Sequence, residues 1–176
     1  MKELYEKAEH PSQAPFRWKD GARIAEAHNA HYTNTGEELE DGLTADYNFL
    51  EGDVWLEGAF RQIPLVDHFR EPIMAHGPKE VGGLSLGEWL DVGKRAGKGI
   101  KIDIKQSAAI PKIIDEVKKR ELPDERLIFN ADVAFGPGVK RDAKFRIFDL
   151  ATDFSTSRKE MKQLRKAFPH ATIGVG

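Results

Sequence analysis

The sequence predicts an α/β fold, a (β/α) TIM-barrel-like parallel sheet with about six of the eight βα units of a closed barrel. Strand-like and helix-like stretches alternate along the chain, which is typical of parallel strands joined by helices. The strands carry apolar residues on one face and charged residues on the other, most clearly in Ile100–Lys105. Strands of an open doubly wound sheet are apolar on both faces, so the charged face indicates the interior of a barrel.

The composition is that of a soluble globular protein with one domain. The chain has 176 residues, of which 40% are hydrophobic and 32% charged, and this length suffices for a sizeable core. The pI near 6.3 argues against general nucleic-acid binding. No stretch approaches the roughly 18 apolar residues of a membrane span, and the charged segment Met1–Lys7 is unlike a secretion signal. We therefore expect a cytoplasmic protein, and without cysteine it has neither disulfides nor thiolate metal sites.

The chain divides into a lead-in and a barrel domain. Residues 1–20 combine a short charged helix with a proline-containing segment, and residues 21–176 hold the alternating strands and helices. Because strands are missing at its C-terminal side, the domain is expected to be truncated. An incomplete barrel exposes two sheet edges, which favours a homo-oligomer or a partner that completes the barrel.

Six stretches are predicted as strands because they alternate or are short and apolar between turn signals. In chain order they are Ala22–His28, Asn48–Trp55, Pro72–His76, Ile100–Lys105, Leu127–Val133 and Ala171–Gly176. The first and third of these strands each end in a histidine, His28 and His76.

Helices are predicted between the strands, and three of them begin with a capping box, a Ser or Thr followed three residues later by Glu. The capping boxes are Thr35–Glu38, Ser85–Glu88 and Ser157–Glu160. Apolar residues then recur at helical spacing, as in Leu39 and Leu43. Two further helices are predicted from Ser107 and around Asp142–Leu150, and Gly97 marks the end of the second capped helix.

The polar faces of the strands supply the candidate site. Glu51 and Asp53 lie two residues apart on one strand, so both carboxylates project from the same face. Adjacent carboxylates repel and are costly to bury unless a cation or strong donors compensate. Asp103 repeats this arrangement on the next long strand. The alternative is a polar rim strand with solvated acids.

Lysines and an asparagine share these faces. Lys101 and Lys105 flank Asp103, and Asn130 and Asp132 occupy one face of the following strand. The lysines fit phosphate binding and, equally, an interior salt-bridge network with the acids. Asn130 and Asp132 fit a metal's coordination shell or a structural hydrogen-bonding role.

Six short segments occur in the order and setting of the menorin-like family, which the chain resembles over about residues 22–176. The segments are His28–Ala30, Leu50–Val54, Pro72–His76, Gly99–Lys105, Asn130–Asp132 and Phe168–Thr172. That family looks like a distant branch of the glycerophosphodiester phosphodiesterase and phospholipase-C-like TIM barrels. Its barrel continues for two or more strands beyond the sixth.

The resemblance implies metal-dependent cleavage of a small-molecule phosphodiester, in which a substrate hydroxyl attacks first and water opens the cyclic product. It implies a Mg²⁺ or Ca²⁺ ion on Glu51, Asp53 and Asp103, acid and base roles for His28 and His76, and phosphate contacts from Lys101, Lys105 and Asn130. Three departures from the phosphodiesterase pattern are visible. Asn29-Ala30 replaces Arg-Gly after the first histidine, Gly77 replaces Asp after the second, and Asp103 replaces Glu.

These departures leave two other functions open. A menorin-like binding module would keep the barrel and its polar site without turnover. An aldolase-like barrel would use Lys101 or Lys105 as a Schiff-base amine, although the neighbouring acids raise a lysine pKa and argue against it. The remaining histidines are expected to be surface or capping residues; they are His10, His31, His68 and His170.

Overall fold

The computed structural model describes residues 1–9, 29–58, 69–77, 79–80, 83–131 and 158–175. Within these ranges the helices are α1 Lys2–Glu9, α2 Gly36–Thr44, α3 Leu86–Arg95, α4 Ile110–Lys119 and α5 Arg158–Ala167. The strands are β1 Asn29–Ala30, β2 Phe49–Leu56, β3 Pro72–Met74, β4 Gly99–Ile104, β5 Leu127–Ala131 and β6 Thr172–Val175. Short 3-10 helices lie at Ser107–Ala109 and Asp124–Arg126. The predicted strand Ala22–His28 and the predicted helix Asp142–Leu150 lie outside the described residues.

The six described strands form one sheet in which β1, β2, β4, β5 and β6 are neighbours in that order. All four pairings along this path are parallel, so the predicted mixed α/β fold with a parallel sheet is confirmed. Strands β1 and β6 are not paired with each other, and among the described strands the sheet is therefore open at these edges.

The prediction of a parallel third strand is wrong. β3 runs antiparallel to β2, with Val54 opposite Met74. Val54 also pairs with Ile104 of β4, so β3 pairs with the other edge of β2. At the N-terminal end of β2, beginning at Phe49, that same edge pairs with β1. The backbone N–H of Glu57 donates to the carbonyl of Glu71 at 2.9 Å and extends this antiparallel pairing outward. β3 thus lies antiparallel along β2 instead of taking a parallel position in the sheet.

Local sequence signals account for the helix boundaries. The capping boxes at Thr35 and Ser85 are both formed, with each hydroxyl accepting from the backbone N–H three residues later. Gly97 has φ 68°, the left-handed conformation that glycine adopts without strain, just after the end of α3. Ser157 of the third predicted capping box lies outside the described residues.

The core lies between the sheet and the helices. Leu50, Val54, Ile100, Ile102 and Ile104 are at most 1% exposed and form one cluster with buried side chains of α2, α3 and α4. The predicted alternation of β4 is therefore confirmed. None of the helices in the described ranges is long and apolar enough to cross a membrane.

Candidate functional site

The register of β2 and β4 brings the predicted acids together on the face opposite the isoleucines. Glu51 is the Cα partner of Lys101, and Asp53 is the Cα partner of Asp103. Asn130 of β5 is in turn the partner of Asp103. The three acidic residues are between 6% and 9% exposed. We call Glu51, Asp53, Lys101, Asp103 and Lys105 the charged cluster.

The lysines of the charged cluster neutralise most of its carboxylates. Nζ of Lys101 lies 2.9 Å from Oε1 of Glu51. Nζ of Lys105 lies 2.6 Å from Oδ2 of Asp103 and 3.2 Å from Oδ1 of Asp53, and so bridges two strands. Burial alone would lower the pKa of Lys105, but its hydrogen bonds and its attraction to Asp103 and Asp53 raise that pKa well above its ordinary value. Lys105 is therefore a persistent ammonium ion.

Asn130 contributes to the same network, since its Nδ2 donates to Oδ1 of Asp103 at 3.2 Å. This contact agrees with the structural role left open for Asn130 by the sequence. Its predicted partner in that role, Asp132, lies outside the described residues.

Asn34, which no sequence pattern singled out, connects the charged cluster to His76. This residue is 1% exposed; its Oδ1 accepts from the backbone N–H of Asp53 at 2.8 Å, and its Nδ2 donates to Oδ2 of Asp53 at 3.1 Å. The same Nδ2 lies 3.3 Å from Nδ1 of His76. Nε2 of His76 lies 2.9 Å from Oε1 of Glu38. Both ring nitrogens of His76 are therefore engaged, with the proton on Nε2 facing Glu38.

His31 was expected to be a surface or capping residue, but it also reaches the charged cluster. Its imidazole is 62% exposed, and Nδ1 lies 2.7 Å from Oε2 of Glu51. The contact lacks hydrogen-bond geometry, since this buried oxygen has no hydrogen-bond partner. His170 shows no such contact and is exposed. His28, His10 and His68 lie outside the described residues, so the role of His28 stays a prediction.

A buried tryptophan supports the segment that carries His31 and Asn34. Nε1 of Trp89 donates to Oγ1 of Thr33 at 3.0 Å, and that hydroxyl donates to the carbonyl of Glu51 at 2.9 Å. Trp89 is fully buried. The segment after β1 is thus fixed both to the core helix α3 and to the strand that bears the acids.

Glu38 caps the start of α2 and contacts His76. We expect the stability that these contacts provide to decrease in acid. Burial alone would raise the pKa of Glu38, but hydrogen bonds from Thr35, the nearby His76 and a bond from Asn34 lower it below its ordinary value. A lowered pKa gives stability that is present above the unfolded value of about 4.3 and is lost as pH falls through the folded pKa. Glu38→Gln should therefore be less stable than wild type in urea at pH 7, with the difference shrinking below about pH 4. Glu37→Gln, one residue earlier and exposed, is the control, and a difference that does not change with pH would contradict the assignment.

The donor chemistry of the charged cluster fits the divalent cation that the resemblance implies. Glu51, Asp53 and Asp103 offer only oxygen atoms, which Mg²⁺ and Ca²⁺ prefer. They outnumber the ammonium groups of the cluster by one, and Oε2 of Glu51 accepts no hydrogen bond. In the described part of the chain, no three His, Asp or Glu side chains converge as a preformed metal site. The ammonium of Lys105 instead lies between Asp53 and Asp103, so a cation bound there would have to displace it.

Comparison with known proteins identifies the family. Residues 23–176 match the Menorin N-terminal domain. The chain is also similar to Protein FAM151B from Homo sapiens, with 35% identity over 121 residues, 68% of this chain and 40% of the human protein. The chain thus spans less than half of the length of that relative, and no solved structure matches it. The chain belongs to the Menorin N-terminal domain family.

Proposed function

We propose that the protein is a metal-dependent phosphodiester hydrolase of glycerophosphodiester phosphodiesterase type, acting on a small-molecule phosphodiester. The observation that supports this most is the charged cluster, where two lysines and three buried acids meet on one face of the sheet. His31 contacts Glu51 of this cluster, and His76 is linked to Asp53 through Asn34. The proposal includes the fold. The path of five parallel strands in chain order supports a (β/α) barrel, and we propose that further strands, a second copy or a partner complete it.

Each side chain has a role in this proposal. Lys101 and Lys105 attract the phosphate oxygens and stabilise negative charge as it develops. A Mg²⁺ or Ca²⁺ ion held by Glu51, Asp53 and Asp103 would neutralise the phosphate when bound. Acid and base functions fall to His28 and His76.

His76 can exchange a proton only after it gives up one of its present contacts. Its Nε2 faces Glu38 and its Nδ1 faces Asn34. Nδ1 is linked to Asp53 of the charged cluster through Asn34, and its contact with Asn34 is the longer of the two at 3.3 Å. Substrate binding that draws Asn34 away would therefore free Nδ1.

A menorin-like binding module is the second candidate, and one observation favours it. Lys101 and Lys105 already pair with all three carboxylates, as in a structural salt-bridge network. The aldolase-like alternative is disfavoured at Lys105, because a raised pKa keeps this amine protonated and therefore not nucleophilic.

Calorimetric titration of Mg²⁺ and Ca²⁺ into metal-free protein tests the hydrolase. We expect wild type to bind one of the ions and a folded Glu51→Gln/Asp53→Asn variant to bind neither. Wild type with bound ion should then cleave glycerophosphocholine, a phosphodiester with a hydroxyl group next to the phosphate. Glu71→Gln, which changes an exposed carboxylate, is the control and should bind as wild type does. A folded wild-type protein that binds neither ion would contradict the metal-dependent hydrolase and leave the binding module as the better account.

A further inference from the structure

Tyr32 has a strained backbone that its neighbours hold in place. Its φ is 57°, a left-handed conformation that is rare for a bulky residue. The next two residues, Thr33 and Asn34, are each 1% exposed. The N–H of Thr33 donates to the carbonyl of Glu51 at 2.8 Å, and the N–H of Asn34 donates to Oε2 of Glu38 at 3.1 Å. Strain of this kind persists only where the surroundings over-determine it, and it is common at ligand sites.

The side chain of Tyr32 is exposed at the border of the charged cluster. It is 59% exposed, the highest value after Phe69 among the large hydrophobic residues described. Its ring centroid lies 6.1 Å from that of His31 and 6.1 Å from that of His76, with interplanar angles of 46° and 49°. These imidazoles in turn contact Glu51 and Asn34. The ring of Tyr32 is therefore next to His31, which contacts Glu51, and next to His76, which is linked to Asp53 through Asn34.

Burial explains neither the backbone strain nor the choice of an aromatic side chain at Tyr32. A glycine would adopt its backbone conformation without strain, and a polar side chain would be better solvated. The hydroxyl has no hydrogen-bond partner among the described residues, so the ring is not needed there to satisfy a buried group. A site where strain and an exposed ring coincide beside charged groups is better explained by contact with a ligand.

We propose that Tyr32 is a specificity-determining residue, whose ring packs against a flat aryl group of the substrate while the phosphate lies on the charged cluster. The phosphate part of this assignment rests on the function proposed above. A flat ring flanked by tilted rings offers stacked and edge-to-face contacts to another aromatic ring. An alkyl ester has no such contact to gain.

Ligand binding, measured by calorimetry without turnover, tests this assignment. Diphenyl phosphate should bind wild type more tightly than diethyl phosphate, and Tyr32→Ala should reduce this preference about three- to tenfold. Tyr32→Phe should retain it. Tyr47→Ala is the matched control. Tyr47 is an exposed tyrosine just before the N-terminal end of β2, whereas Tyr32 follows the C-terminal end of β1. Equal affinity for the two esters in wild type would overturn the role of Tyr32 and leave the proposed function standing.

Two further measurements separate this role from a structural one and from the proposed function. Tyr32→Gly relieves the strain, so its thermal midpoint should equal or exceed that of wild type while the aryl preference is lost. A large drop in the midpoint with an unchanged preference would overturn the proposal. Benzyl alcohol, an uncharged aryl probe, is followed by NMR. If benzyl alcohol contacts wild type but not Tyr32→Ala, and neither phosphate ester binds, the aryl site is supported and the phosphodiesterase is rejected. If neither benzyl alcohol nor an ester binds, both proposals are overturned.

Discussion

Lys105→Met is expected to lower the free energy of unfolding at pH 7 by about 2–4 kcal/mol. The ammonium of Lys105 contacts both Asp53 and Asp103, and these residues are neighbours on adjacent strands with 6% and 9% exposure. Without it, two buried carboxylates face each other with no cation between them. Breaking a buried ion pair costs about 3–5 kcal/mol, and the partial exposure of Lys105 reduces the expected loss to about 2–4 kcal/mol.

Two measurements test this prediction further: the pH dependence of the stability difference, and the effect of a divalent cation on it. A raised pKa favours the ammonium, so the stability from Lys105 is complete at neutral pH and is lost only as pH rises through the folded pKa, above the ordinary value of about 10.4. The difference between wild type and variant in urea unfolding should therefore stay constant through neutral pH and shrink only in strong alkali. If the acids hold a cation, Ca²⁺ should restore stability in Lys105→Met more than in wild type.

The matched control is Lys112→Met, because Lys112 forms, within the described part of the chain, one ion pair, with the exposed Glu71 at 3.6 Å. Its stability should stay within about 0.5 kcal/mol of wild type. An unfolding midpoint for Lys105→Met that coincides with this control would show that the charged cluster adds nothing to stability.

Trp89→Ala should be the most destabilising single change, with a loss of about 3–5 kcal/mol in the free energy of unfolding. Trp89 is fully buried in the core cluster, and alanine would leave a cavity between α3 and the sheet. Trp89→Phe separates packing from hydrogen bonding. It keeps a ring but removes the N–H that donates to Thr33, and should cost about 1–2 kcal/mol.

Urea unfolding together with amide exchange distinguishes a local effect of Trp89 from a general one. In Trp89→Phe the amide of Thr33 should exchange faster, because the hydroxyl of that residue loses the donor that fixes it. Leu90→Ala, on the same helix and also fully buried, is the control and should lose stability without changing the protection of Thr33 beyond its effect on global unfolding. Equal changes at Thr33 in both variants would contradict a specific link from Trp89 to the site.

The elements that local patterns determine could be predicted. Capping boxes fix the starts of α2 and α3, and alternation fixes which face of β4 packs in the apolar core. The acids of β2 and β4 could be placed on one face for the same reason, since a strand has a side-chain period of two. The sequence does not decide whether Lys101 and Lys105 pair with these acids or bind phosphate, because spacing along one strand does not give the contacts between strands.

The features that depend on distant contacts could not be predicted. Asn34 lies 19 positions from Asp53, and its buried contacts leave no local signal. The antiparallel direction of β3 depends on which edge of β2 was free. His31 follows β1 in an exposed turn, where a histidine beside the site and one in solvent have the same sequence context.

The alternation of charge on β2 and β4 also bears on how the chain avoids misfolding. If β4 paired one residue out of step, its whole set of side chains would exchange faces. Lys101 and Asp103 would then enter the apolar layer beneath α3 and α4, and three isoleucines would face Glu51 and Asp53. Burying unpaired charges is so costly that this misaligned pairing would be much less stable than the native one. The side chains proposed to meet a substrate thus also select one pairing of strands, and replacing them with apolar residues would weaken that selection even where it raised stability.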